Sequence, residues 1–185
     1  MNSFCDLTLR RDPEFPESQL MNALYAKLHR ALAAAQVNTI AVCFPAFMGL
    51  KLGGVLRLVG PSAALTNLMA GYWLHGMTEY LQISGVRALP AQLQHRKWQR
   101  IQCKSSPERL RRRQMKRHGL SETQARERVP DTAAKTLKAP FLQVSSGSTG
   151  QHFRLFLKVG PPQAQPETGP FNAYGLSQTA TVPWF

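Results

Sequence analysis

Leu20, Leu24, Leu28 and Leu32 recur every four residues. That spacing puts them on one face of an α-helix and leaves the face in need of a surface to cover it. The periodic stretch predicts a helix from Glu17 to Ala35, after the Pro-containing link at Asp12–Pro16. Strand patterns flank it. Phe4–Leu9 sets Cys5, Leu7 and Leu9 against Phe4, Asp6 and Thr8, the alternation of a half-buried strand. Thr39–Phe44 is β-branched and aromatic and stops at Pro45, and Gly53-Gly54 introduces another short strand at Val55–Val59. Pro61-Ser62 then opens a second helix with Leu65, Leu68 and Met69 on its apolar face. A last strand is expected near Tyr80–Ser84, extending past Gly85.

The order β-α-β-β-α-β is that of a ferredoxin-like domain, with two helices on one face of a four-stranded antiparallel sheet. The expectation is an α+β protein with this domain over residues 1–93 and a small second domain over 94–185. RNA-recognition motifs share the topology, but Thr39–Phe44 and Val55–Val59 lack their aromatic stacking signature.

Charge separates the two halves. Of 23 Lys+Arg and 10 Asp+Glu, which give +13 overall, residues 1–95 hold 7 and 5, and residues 96–185 hold 16 and 5. A hydrophobic content of 43% is enough for a core, so the charge is carried by a folded chain rather than a disordered basic tail. Trp98–Lys104 reads as a strand, and Pro107–His118 as a short helix with Ser106 as N-cap and Gly119 as its stop. A further helix is expected from Ser121 to before Pro130. Phe141–Val144 and His152–Lys158 form a hairpin around Ser145–Gln151, and the tail Phe171–Phe185 is expected to dock rather than hang free.

Other features bound the class. Asp6 follows the start too closely for a signal peptide. The charge-free stretches Ala31–Leu50 and Leu58–Thr78 are broken by Pro45, Pro61 and polar residues, so neither reads as a membrane span. Cys5, Cys43 and Cys103 are odd in number and far apart, which suggests neither a disulfide framework nor a CxxC metal site. No His, Asp or Glu cluster has metal spacing. A cytoplasmic protein without membrane, metal or cofactor is expected.

The basic helix is the strongest chemical signal. Arg109, Arg112, Arg113, Lys116 and Arg117 share one face at i, i+3, i+4 spacing. Their mutual repulsion, a few tenths of a kcal/mol per pair, is reversed by a phosphate backbone that releases counterions as it binds. The alternative is a solubilising face, but such faces usually mix in acids. A DNA-reading helix-turn-helix at 107–128 is a second alternative, opposed by the confinement of charge to its first helix. Arg100 and Gln102 alternate with Ile101, and Arg and Gln are the side chains that grip G and A edges. They equally suit a solvent-facing strand. Among the histidines, His29 flanks the leucine row, four residues after Tyr25; it reads as a boundary histidine or as an acid–base group. Ser145–Gly150 is a Gly/Ser/Thr loop that reads as a phosphate-holding loop or as a hairpin turn.

These pieces join in a resemblance. "DPEFP" (Asp12–Pro16), "KLH" (Lys27–His29), "SPERLRRRQMKRHGLS" (Ser106–Ser121), "SGSTGQHFRLF" (Ser146–Phe156), "YGLS" (Tyr174–Ser177) and "VPWF" (Val182–Phe185) resemble the CRISPR RNA-processing endoribonuclease of type I-F systems. The resemblance implies a ferredoxin-like domain joined to an RNA-binding one, and the stem-loop of CRISPR repeat RNA as substrate. It implies His29 as catalytic histidine, Ser146 as the group that positions the attacking 2′-hydroxyl, and Tyr174 as the residue that orients His29. Arg100 and Gln102 would read base edges. Arg112, Arg113, Lys116 and Arg117 would enter the RNA major groove and contact phosphates, Arg109 and Ser148 would also bind the RNA, and Phe153 would stack on the closing base pair. Lys116 stands where an arginine is typical, keeping charge but losing the bidentate fork. Membership of an RNA-guided surveillance complex with other CRISPR-associated proteins is also implied. The competing class is a non-catalytic RNA-binding or assembly protein with the same charge and fold.

Overall fold

A computed structural model describes residues 1–102, 107–131, 137–145 and 151–185. The architecture is mixed α+β. In chain order come β1 (Ser3–Leu9), α1 (Glu17–Ala35), β2 (Ala41–Cys43), β3 (Val55–Gly60), α2 (Ser62–Ala70), β4 (Leu81–Ile83), β5 (Arg87–Ala88), β6 (Gln94–Arg96) and β7 (Trp98–Ile101). They are followed by α3 (Pro107–His118), α4 (Glu122–Arg128), β8 (Phe141–Ser145), β9 (His152–Val159) and β10 (Val182–Trp184). The chain forms two compact units, one of Met1–Ile101 with Ala139–Phe185 and one of Gln102–Lys138. The division expected between residues 93 and 94 falls within the larger unit.

In the larger unit, the strands order as β2-β3-β1-β4, with β5 also on β1, and every pairing is antiparallel. Gly85, at φ +72°, interrupts the β4–β5 edge, so the strand does extend past it, but as a second short piece. The leucine row of α1 is buried together with Met21 and Tyr25. Its start is prepared by Asp12, whose Oδ1 accepts from the amides of Glu14 and Phe15 at 2.9 Å, a turn that explains the "DPEFP" stretch. Asp6 and Arg57 face each other across β1 and β3. The Arg57 guanidinium grips both carboxylate oxygens at 2.7 and 2.8 Å and lies 3.8 Å from the Phe185 ring centroid.

A second sheet, β7-β9-β8, shares this core. Its alternation buries Trp98, Leu142, Val144, Leu155 and Leu157, while Gln143, His152, Arg154 and Lys158 remain exposed. The tail is docked, because β10 pairs with β6. Sequence periodicity could not find β5 and β6, which are two and three residues long.

In the smaller unit, α3 and α4 span Pro107–His118 and Glu122–Arg128. Gly119 is left-handed at φ +61° between them. A reciprocal capping box from Ser121 and Gln124 starts α4. The proposed N-cap Ser106 and Cys103 lie outside the described residues. Among the described residues, no helix is long and apolar enough to cross a membrane.

Candidate active site and nucleic-acid interface

Tyr25 and His29, one helical turn apart on α1, reach the same segment of the tail. The Tyr25 hydroxyl donates to the Tyr174 carbonyl at 2.7 Å, and the His29 ring engages the Ala173 carbonyl through Nδ1 at 2.8 Å. A carbonyl only accepts, so Nδ1 carries the hydrogen; in the neutral ring, Nε2 is then the nitrogen with the free lone pair. Burial pushes the Tyr25 phenol well above its ordinary pKa, and the nearby Tyr174 adds to the shift while Arg100 opposes it. Tyr25 therefore remains a donor at neutral pH.

The receiving segment is a tight loop. Asn172 Oδ1 accepts from the amide of Tyr174 at 2.9 Å, and the Asn172 carbonyl accepts from Gly175 N at 2.8 Å. Gly175 has φ +68°, and a Cβ there would fall 2.3 Å from Val42 Cγ2, so only glycine fits. Its carbonyl accepts from Val42 N at 2.9 Å, which ties the loop to β2. Held in this way, the Tyr174 ring stacks on His29 with centroids 3.9 Å apart and planes 8° from parallel.

Two further expected residues join them in this unit. The Arg100 guanidinium sits 5.4 Å from the Tyr174 ring centroid and 5.6 Å from that of Phe153. Arg100 is opposite Leu157 in the ladder, so alternation puts it on the same sheet face as Phe153. The Arg100 carbonyl accepts from Gln178 Nε2 at 2.9 Å, and the Gln178 carbonyl accepts from Gln99 Nε2 at 2.8 Å. Ser146 and Ser148 lie outside the described residues.

The smaller unit holds the remaining candidates. Arg109, Arg112, Arg113, Lys116 and Arg117 are exposed on α3. Gln102, Arg109, Arg112, Arg113 and Lys116 line a cleft of about 640 Å³. Arg111 points elsewhere and braces the unit. Its Nε donates to the Val129 carbonyl at 2.8 Å, and its Nη2 pairs with Asp131 at 2.7 Å. Among the described residues, no group of three or more His, Cys, Asp or Glu could hold a metal ion.

Comparison with known proteins decides the family. The profile of CRISPR-associated protein (Cas_Csy4) matches residues 4–185. The chain belongs to the Cas_Csy4 family. It is 47% identical over 187 residues to the CRISPR-associated endonuclease Cas6/Csy4 of Pseudomonas aeruginosa (strain UCBPP-PA14), with all of both chains covered. It is 42% identical over 185 residues to the protein of the same name from Escherichia coli (strain UTI89 / UPEC), again over the full length of each.

His29 and Arg100 stand out in the sequence itself, Tyr174 and Phe153 enter only through the resemblance, and the fold gathers the four in one place. Tyr25, Asn172 and Gly175 were not singled out. Tyr25 was hidden by its position beside the leucine row, which gives an apolar explanation for an aromatic residue. The one available signal for Gly175 was its place inside the "YGLS" stretch.

Proposed function

We propose that this protein is a CRISPR RNA-processing endoribonuclease that binds the stem-loop of the repeat and cuts the precursor transcript beside it. The observation that carries the reading is the setting of His29. Its Nδ1 is committed to a backbone carbonyl and its ring is clamped by Tyr174, which leaves Nε2 to take a proton. The relatives' printed name, CRISPR-associated endonuclease, points the same way.

In this mechanism, His29 Nε2 removes the proton of a ribose 2′-hydroxyl. The 2′-oxygen bonds to the adjacent phosphorus, and the bond from phosphorus to the 5′-oxygen breaks. That oxygen takes up a proton, giving a 5′-hydroxyl on one product and a 2′,3′-cyclic phosphate on the other. RNA supplies its own nucleophile, so the step balances without a metal. A positioned base contributes about 10²–10⁴-fold, and in-line placement, the role assigned to Ser146, contributes the rest. Tyr174 orients His29, and Arg100 and Gln102 read base edges. Phe153 stacks on the end of the stem, while Arg109, Arg112, Arg113, Lys116, Arg117 and Ser148 contact the RNA backbone.

The strand order β2-β3-β1-β4 with α1 and α2 in the connections supports a ferredoxin-like reading of the N-terminal part. Retention of the cleaved hairpin and entry into an RNA-guided surveillance complex in the cytoplasm complete the proposal.

The test is cleavage of a labelled repeat hairpin in EDTA, with His29→Ala beside the wild type and duplex DNA as a control. Cutting at one site by wild type alone, with binding kept by the variant, supports the reading. Binding without cutting by either protein makes it a non-catalytic RNA-binding protein, and equal affinity for duplex DNA argues for a DNA regulator.

A further inference from the structure

The β7-β9-β8 sheet has a second face, turned away from the core and not used by the proposed reaction. Register places Gln99 and Ile101 of β7, His152, Arg154, Phe156 and Lys158 of β9, and Phe141, Gln143 and Ser145 of β8 on it together. Phe141 lies directly opposite Phe156, with ring centroids 5.5 Å apart. Phe141 remains 38% exposed although it is a large apolar side chain. The Arg154 guanidinium covers the Phe141 ring at 4.8 Å from its centroid. His152 is held by Ser145, through Nδ1 and Oγ at 2.9 Å.

Cross-strand pairing accounts for the contact between the two phenylalanines. It does not account for what surrounds them. The three strands contain no Asp or Glu, and among the described residues neither Arg154 nor Lys158 takes part in an ion pair. Just before β7, Lys97 is neutralised by Glu167 at 2.7 Å, and Glu17 of α1 lines a cavity with Phe141 and Gln143, so among the described residues the cations without an ion pair beside the aromatic pair are Arg154 and Lys158. An exposed ring on which a base can stack, backed by a second ring and flanked by cations that track phosphates, has the components of a single-strand nucleic-acid platform. Arg154 adds a planar guanidinium on which a base can stack. From His152 to Lys158 the platform runs for about 20 Å at roughly 3.3 Å per residue, room for a few nucleotides. Duplex does not suit a flat sheet with stacking rings, because its bases are already paired and stacked.

We propose that this outer face binds single-stranded RNA, the unpaired segment that flanks the hairpin in the transcript. The identity of that segment rests on the function proposed above; the affinity of the face for single strands does not. The face would raise the affinity for a hairpin still joined to its flank over that for the bare hairpin.

Affinities are compared by fluorescence anisotropy for the bare repeat hairpin, the hairpin with about eight unpaired uridines on either side in turn, and a free oligouridine of that length. Wild type should prefer one extended hairpin by about tenfold, the worth of one or two stacked bases. Phe141→Ala combined with Arg154→Gln should abolish that preference and leave bare-hairpin affinity within about twofold. Phe141→Trp should preserve it, which separates lost stacking from a damaged strand. The proposal is overturned if neither extension adds affinity, if the preference survives in the double variant, or if the variant weakens bare and extended hairpins equally. Should wild type fail to bind the hairpin at all, the proposed function fails and oligouridine decides alone. Weakening by Phe141→Ala with Arg154→Gln but not by Arg112→Gln with Arg113→Gln keeps the face as a single-strand site. Any other pattern removes it and leaves a protein partner as its occupant.

Discussion

His29 and Tyr174 come from opposite ends of the chain, yet their rings lie flat on one another at 3.9 Å. Among the described residues, the Tyr174 hydroxyl makes no hydrogen bond, so the ring and not the phenol holds the imidazole. Tyr174→Phe should therefore keep nearly full cleavage. Tyr174→Ala should lose up to about 100-fold, as small misplacements of a reacting group do, and His29→Ala about 10²–10⁴-fold. Single-turnover cleavage of a repeat hairpin at saturating protein checks all three. A Tyr174→Phe protein as impaired as Tyr174→Ala would transfer the role to the hydroxyl.

Tyr25 acts one step further back. Tyr25→Phe removes the donor to the Tyr174 carbonyl and keeps the packing against Phe44. The expected cost is about 1 kcal/mol of stability, as for one buried hydrogen bond, read as a lower urea midpoint. Cleavage should change less than about threefold, because His29 retains the Ala173 carbonyl.

How much of this was legible depended on the range of the signal. The leucine row marked α1 from Glu17 to Ala35, its observed limits, because helix periodicity is local and long. Pro107 and Gly119 punctuated α3 in the same way. The short strands β5 and β6 have too few residues to show alternation; they exist because β1 and β10 offer them partners. His29 was readable as a boundary residue and, by resemblance, as a base. Its acceptor, Ala173, is 144 positions away, and no local pattern encodes a backbone carbonyl. The same holds for Tyr25, whose hydroxyl has a purpose only after the tail has docked.

Charge on α3 should divide by function. Arg112→Gln and Arg113→Gln should weaken hairpin binding and flatten its dependence on salt, by about 0.7–0.9 in the logarithmic slope for each phosphate that is no longer neutralised. Arg111→Gln should leave the slope alone and instead lower thermal stability, since it breaks the bonds to Val129 and Asp131. Titrations at several salt concentrations, beside melting curves, separate the two effects. A reduced slope for Arg111→Gln would place that side chain on the RNA.

Asp6 and Arg57 form a largely buried pair, with side chains 20% and 9% exposed. Asp6→Ala strands the guanidinium without its carboxylate and should cost about 3 kcal/mol. Replacing both, Asp6→Leu with Arg57→Met, should recover much of that loss, because the desolvated charge goes too. Urea denaturation of the single and double variants gives the comparison. Equal destabilisation by both would mean that the ion pair itself contributes the stability.

Burial pushes the Cys43 thiol from 9.0 up to about 12, with Arg57 pulling the other way. The folded state thus keeps its proton where the unfolded chain would release it. Stability from this group is fully present below pH 9.0 and drains away as pH rises towards 12. Wild type should lose stability through that window more steeply than Cys43→Ala, even though the variant starts lower from its small cavity. Iodoacetamide at about pH 8, below the ordinary thiol range, should leave Cys43 unlabelled until the protein is unfolded, as read by peptide mass spectrometry. Rapid labelling of the native protein would show a thiolate exposed to solvent and a β2 strand that opens.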